Sequence, residues 1–155
     1  MPVVVGGEQT VVESSIIIEC FAPRLVTSLD VRFLDRFFDL YVMTPMQKVV
    51  GDALRAEAER DPRGVADAKA RLETSYEWLD GRLGSGWATD EGFTMADCSA
   101  APSLFYADWV HPIPEKFANT RAYRARLLAH PSVKRAVDEA RPYRTFFPLG
   151  APDRD

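Results

Sequence analysis

Gly92-Phe93-Thr94-Met95-Ala96-Asp97-Cys98 is the stretch from which the fold is read. Thr94 is a candidate helix N-cap, and Asp97 stands three residues further on. At that spacing the hydroxyl takes the N–H of Asp97 while the carboxylate reaches back to the N–H of Thr94. This is a capping box with Asp in place of the more usual Glu or Gln, so the turn has to be tight. Phe93, just outside the cap, is placed to pack on Cys98 as a hydrophobic staple. Cys98, Ala101, Pro102, Phe105 and Trp109 then recur on one side of a helix. The stretch predicts the buried start of a long helix.

Upstream, Asp61-Pro62 is a strong helix start, with Asp as N-cap and Pro at the first helical position. Val65, Ala68, Leu72, Tyr76, Leu79 and Leu83 form a continuous apolar stripe, closed by Gly84-Ser85-Gly86. The helix before it, from Leu29 to about Glu59, carries two apolar faces. Val31, Leu34, Phe38 and Tyr41 make one, and Phe33, Phe37 and Leu40 the other. A helix apolar on two sides is buried on two sides, and in so short a chain one side is expected to meet a second subunit. Thr44-Pro45 predicts a kink, because proline removes a helical hydrogen bond and crowds the preceding turn. Residues 51–60 are polar and are expected to be solvated. Together the two segments predict an antiparallel helical hairpin.

Downstream, Pro102 lies inside the central helix at a cost of about 3 kcal/mol in an exposed setting, so packing is expected to compensate it. His111-Pro112-Ile113-Pro114 breaks that helix. Two shorter helices are predicted near 118–129 and 132–140, the second opened by Pro131-Ser132. Tyr143, Phe146 and Phe147 make the tail too aromatic to be free, so it is expected to fold back. At the other end, valine runs at 3–5 and 10–12 flank Gly6-Gly7-Glu8-Gln9, a hairpin pattern with a four-residue loop. Two strands alone are marginally stable and must lean on other elements. Ser14 is expected to cap a short helix from Ser15 to about Phe21, ended by Pro23. The fold class is therefore mainly α, a helical bundle with a short N-terminal β-hairpin.

With 155 residues, 46% of them hydrophobic, the chain is of single-domain length and can bury a core. No apolar run approaches the roughly 20 residues that span a bilayer. Glu8 and Glu13 interrupt the first valines and no basic region precedes them, so a secretory signal is not read. Cytoplasmic residence is the resulting expectation, with no membrane partner. The net charge of −4 is well mixed and makes no basic face for nucleic acid. Two distant cysteines form no CxxC or Cys/His cluster, and His111 and His130 offer no ligand spacing, so no metal site is expected.

The Pro-Val-Val-Val start, the Val-Val-Glu-Ser-Ser run, the long helices and the Phe-Thr-Met-Ala-Asp box resemble, in that order, the glutathione transferase family. In that family the box opens the central helix of the all-helical C-terminal domain. The resemblance implies that residues 1–22 are the last two strands and helix of a thioredoxin-like domain, and that 23–155 are the helical domain. It also implies that the family's upstream βαβ unit, which carries the Tyr, Ser or Cys acting on the glutathione sulfur, lies outside these residues. That unit would be sought in the coding sequence before Met1 or in another polypeptide.

Glu13-Ser14 is the sharpest candidate for chemistry. A serine at a helix N-terminus offers a hydroxyl and free N–H groups to a carboxylate, and Glu13 beside it suits an ammonium. Read locally, Ser14 is equally a plain N-cap. The resemblance implies that Glu13 and Ser14 hold the γ-glutamyl end of glutathione. It further matches Pro2 to the family's cis-proline and Met1 to the residue whose backbone binds the cysteinyl part. By the same resemblance Tyr41, Met43, Met46, Tyr106 and Trp109 wall the pocket for a hydrophobic electrophile, and the first two long helices form a homodimer. Without the resemblance these side chains are ordinary core. Cys98 follows a helix start, where thiolates are favoured, yet it lies on the apolar face with no base near in sequence. Cys98 and Cys20 are read as non-catalytic, and no residue is assigned the catalytic role. Glutathione conjugation, impaired or absent in this chain, is the expected activity, with glutathione as co-substrate and no cofactor. The alternative is a non-catalytic module that dimerises or binds a ligand or protein.

Overall fold

The computed structural model describes residues 2–7, 9–26 and 28–155. Strands β1 (Val3–Gly6) and β2 (Gln9–Val12) pair antiparallel, from Val3↔Val12 to Gly6↔Gln9. Because Gly6 and Gln9 belong to the ladder, the connection is two residues rather than the expected four. Gly7 stands in it at φ 62°, a left-handed conformation that glycine adopts without a Cβ clash. Helix α1 (Ser14–Phe21) follows directly, then a 3-10 turn at Pro23–Leu25. The boundary expected after residue 22 falls between these two elements. Ser14 is not the cap: Glu13 holds that position, and no side chain caps α1. Met1, and with it the bond to Pro2, lies outside the described residues.

Helices α2 (Leu29–Phe37) and α3 (Thr44–Ala53) are joined by a π-helical segment, Phe38–Met43. The expected kink at Pro45 takes this form. The Thr44 N–H reaches back five residues to the Asp39 carbonyl, the wide spacing of a π turn. Pro45 has no N–H for the carbonyl of Tyr41, and Ser75, from the next long helix in the chain, donates its hydroxyl there instead, at 2.8 Å. The wide turn also changes the buried register. Val31, Leu34 and Phe38 are core as expected, but the next core residues are Val42, Met46 and Val49, and Tyr41 is 57% exposed. On the second face only Phe37 is buried, while Phe33 and Leu40 remain exposed.

Helix α3 ends at Ala53, short of the expected limit near Glu59. The 51–60 segment is not merely solvated, since Asp52 is buried and accepts the Asp61 N–H at 2.7 Å. Asp61 caps α4 (Pro62–Arg82) through the Gly64 N–H at 2.8 Å, with Pro62 in the first turn. The stripe of α4 packs as read: Ala68, Leu72, Tyr76, Leu79 and Leu83 are buried, with Val65 against them.

Helix α5 (Met95–Val110) is the central element, because twelve of its sixteen residues are buried. Such all-round burial is possible only inside a bundle. Pro102 is not among the twelve: instead of being packed it is exposed at the wall of a cleft. Both contacts of the capping box are present. The Asp97 carboxylate accepts the Thr94 N–H at 2.9 Å and the Thr94 hydroxyl at 3.3 Å through Oδ2. Through Oδ1 it accepts the Ala88 N–H at 2.9 Å and the Tyr123 hydroxyl at 2.7 Å. Asp97 is fully buried. Phe93, expected on Cys98, stacks on His130 at 3.9 Å and meets Trp87 edge-on.

Helices α6 (Ala118–Ala129) and α7 (Pro131–Ala140) follow, then a 3-10 segment Arg141–Phe146. The tail folds back through Phe147, whose ring lies 5.0 Å from Trp109 and 6.0 Å from Tyr106. Tyr143 and Phe146 stay largely exposed. Among the described residues no helix is long and apolar enough to cross a membrane.

Asp97→Ala is expected to destabilise the chain by about 3–5 kcal/mol, because it strands several buried donors at once. Urea unfolding checks this; a loss under about 1 kcal/mol contradicts the role given to Asp97.

Candidate functional site

Two cavities meet beside α5. The smaller, of about 200 Å³, is polar and lies where α1 begins. Glu13 and Ser14 line it with Asp35, Arg36, Asp39 and Ser99. Glu13 has φ 74° and ψ 126°, a strained conformation for a residue with a Cβ. The first i→i−4 bond of α1 runs from the Ile17 N–H to the Glu13 carbonyl. The N–H groups of the first turn therefore precede any helical partner and are available to an anion.

Asp35 ties the cleft together. It is buried, and it accepts the hydroxyls of Ser15, at 2.9 Å, and of Ser99. These bonds fix the start of α1 to α2 and α5. Asp35, Ser99 and Ser103 were not singled out in the sequence. A signal existed: Asp35 interrupts the apolar pattern of α2, and Ser99 and Ser103 lie one turn apart on an apolar helix.

The larger cavity is an apolar groove of about 570 Å³ between α3, α5 and the tail. Met43, Met46, Tyr106 and Trp109 all line it, joined by Phe105 and Phe147, which the sequence reading left out. Tyr41 is not brought there. It projects from the opposite side of the π segment, stacks on Phe37 at 5.4 Å and lines a separate groove toward α4. Met43 lines both the polar cleft and the apolar groove and is the seam between them. Met1 lies outside the described residues.

Cys98 lines a third, apolar cavity of about 350 Å³ between α5 and α7. Burial pushes its thiol pKa up, and the negative charges of Asp97 and Asp35 add to the effect. That environment opposes a nucleophilic thiolate. Among the described residues no group of His, Cys, Asp or Glu is placed to hold a metal ion.

The layout is that of a helical bundle of the glutathione transferase type, with a polar cleft beside an apolar one. Residues 52–126 match the family model for the glutathione S-transferase C-terminal domain. Two solved structures share the fold at a TM-score of 0.68. One, a glutathione transferase from Phanerochaete chrysosporium with oxidised glutathione, is 20% identical, with 88% of this chain and 68% of that chain covered. The other, a glutathione S-transferase from Methylobacterium radiotolerans in complex with glutathione sulfonate, is 22% identical, with 88% and 71% covered. No curated protein matches the chain in sequence. The resemblance to the glutathione transferase family read from the Phe-Thr-Met-Ala-Asp box is thereby borne out.

Alkylation by iodoacetamide at mildly alkaline pH is expected to modify exposed Cys20 well before Cys98. Peptide mapping of the labelled chain checks the order, and equal rates contradict the burial of the Cys98 thiol.

Proposed function

We propose that this chain is a glutathione transferase-like protein that binds the γ-glutamyl end of glutathione at Glu13 and Ser14 and a small hydrophobic electrophile in the adjoining groove. The observation that carries the reading is the junction of cleft and groove at Met43. The ammonium of the γ-glutamyl end suits the carboxylates of Glu13, Asp35 and Asp39, and its carboxylate suits the Ser14 hydroxyl and the free N–H groups of α1. At about 200 Å³ the cleft is below the usual ~300–1,000 Å³ of a ligand site, so it takes one end of the tripeptide. Residues 1–22 serve in this reading as the partial thioredoxin-like segment and 23–155 as the helical domain. The protein acts in the cytoplasm as a homodimer.

Conjugation by these residues is weak or absent. Thiolate formation needs a positioned donor or a positive field, whereas Glu13, Asp35 and Asp39 face only Arg36 among the charged residues lining the cleft. Calorimetric titration with glutathione is expected to show binding that Ser14→Ala weakens about tenfold. Unchanged affinity in that variant removes the assignment. With an aryl halide electrophile, turnover well above the uncatalysed rate overturns the expected inactivity.

A second reading, a non-catalytic association module, is favoured by the apolar surface of α2, the π segment and α4. Phe33, Leu40, Tyr41 and Trp78 are exposed there, and Phe33, Phe37 and Trp78 form a ring cluster. A patch of this kind marks an association face. Sedimentation at micromolar concentration is expected to show a dimer that Phe33→Glu dissociates; a monomer under those conditions contradicts both the dimer and this face.

A further inference from the structure

A cavity of about 890 Å³ between α6, α7 and the tail has no part in the function proposed above. Arg121 and Arg124 of α6, Lys134 of α7, and Arg141 and Arg154 beyond it stand in its wall. This end of the chain is basic although the whole is acidic. Residues 118–155 hold eight of the nineteen Lys and Arg but only four of the twenty-three Asp and Glu. Helix α6 has three arginines and no acidic residue.

Four carboxylates share the wall, and their exposure decides which sign a solute meets. The Asp108 and Asp155 side chains are only 11% and 5% exposed. Asp108 accepts the Ile113 N–H at 2.8 Å and faces both Arg124, at 3.4 Å, and Arg154, at 3.8 Å. Asp155 is held by Arg144 and, at 2.6 Å, by Arg141. Asp138 accepts from Lys134 at 2.5 Å and from Arg141 at 3.0 Å. Glu115 extends into solvent, 3.7 Å from Arg121. The side chains of Arg121, Lys134 and Arg141 are 50%, 64% and 48% exposed. Each of the five cations has an ion-pair partner in the same wall, so charged ends and not only stems stand there.

The buried carboxylates are thus committed, while the cations are accessible. Positive charge is also crowded. Burial pushes the Arg124 pKa down, Asp108 opposes this, and the charge of Arg154 adds to it. An anion in the cavity would relieve that crowding. The volume is near the upper end of the usual ~300–1,000 Å³ of a ligand site, more than a single phosphate or sulfate fills. Cations spread over two helices and the tail are matched by one ligand carrying charge at several points along its length.

We propose that this cavity binds a polyphosphate chain, free or as part of a nucleotide, through Arg121, Lys134 and Arg141. Ile113, Leu128 and Val137 supply apolar wall against which a nucleotide base is received. The site is separate from the Glu13-Ser14 cleft and does not rest on the function assigned there.

Calorimetric titration with inorganic triphosphate at fixed ionic strength tests it, and one saturable site is expected. The ion pair of Arg121 is to an exposed side chain, so its substitution leaves the fold unaltered. Arg121→Gln and Lys134→Gln are each expected to weaken triphosphate about three- to fivefold, and Arg121→Glu by about tenfold or more. Arg135→Gln, on the same helix as Lys134 but outside the cavity wall, is expected to leave affinity within about twofold. Metal-free adenosine triphosphate separates the two sources: tighter binding than triphosphate identifies a nucleotide, and equal binding a free chain. No saturable site, no loss in Arg121→Glu, or an equal loss in Arg135→Gln overturns the inference. Ser14→Ala is expected to leave triphosphate binding unchanged, and a loss there also overturns it as a separate site.

Discussion

A buried carboxylate with four hydrogen-bond donors holds this bundle in register. Asp97 collects the backbone of its own cap, the N–H of Ala88 from the loop before it, and the phenol of Tyr123 from α6. No donor among the four is a cation, so the charge is stabilised by oriented dipoles rather than by an ion pair. Such an arrangement tolerates little movement, because each donor left unpaired in a buried site costs more than a mean hydrogen bond contributes. Burial, together with the negative charge of Asp97, pushes the Tyr123 phenol pKa up. Tyr123 therefore remains a donor throughout the physiological range. One short side chain thus fixes where α5 begins, how its loop closes and where α6 lies.

The second constraint is backbone geometry at Pro45. Without an N–H at that position a regular helix would leave the Tyr41 carbonyl inside the bundle without its usual partner. The chain widens into a π turn, and Ser75 supplies the missing donor from α4. This couples the two halves of the helical hairpin by a polar contact as well as by packing. Turning the next apolar residue inward by four positions instead of three puts Val42 in the core and turns Tyr41 outward. It also leaves Met43 facing the junction of the two cavities.

Features encoded over a few neighbouring residues were legible in the sequence. The Asp61-Pro62 start, the α4 stripe and the Thr94–Asp97 box depend on spacing within one or two turns, and each formed as its chemistry required. What was illegible came from distance. Periodicity assumes a uniform 3.6-residue turn, so it placed Tyr41 with the core and with Met43; the π turn breaks that assumption. Ser14 read as a cap because local rules favour serine there, whereas the strained Glu13 takes the position. Asp35 was missed for the same reason, since its hydroxyl partners Ser15 and Ser99 lie 20 and 64 residues away. The wall supplied by Phe147 depends on a tail that returns to α5 from the far end of the chain.

The two cavities differ in polarity, and that difference orders what each can hold. The polar cleft has three carboxylates against one guanidinium among its described lining residues, a balance that favours a cation. The groove has an apolar surface with Arg144 as the one charged residue among its described lining residues, so it suits an apolar body. A molecule spanning both would run across Met43, an unbranched, polarizable side chain suited to varied shapes. Strain at Glu13 has a physical place in this scheme. A backbone held at positive φ persists only where surrounding contacts enforce it, and the Ser15–Asp35–Ser99 bridge supplies them at the next residues. The same bridge that ties the cleft to α2 and α5 thus holds the first turn of α1 in place.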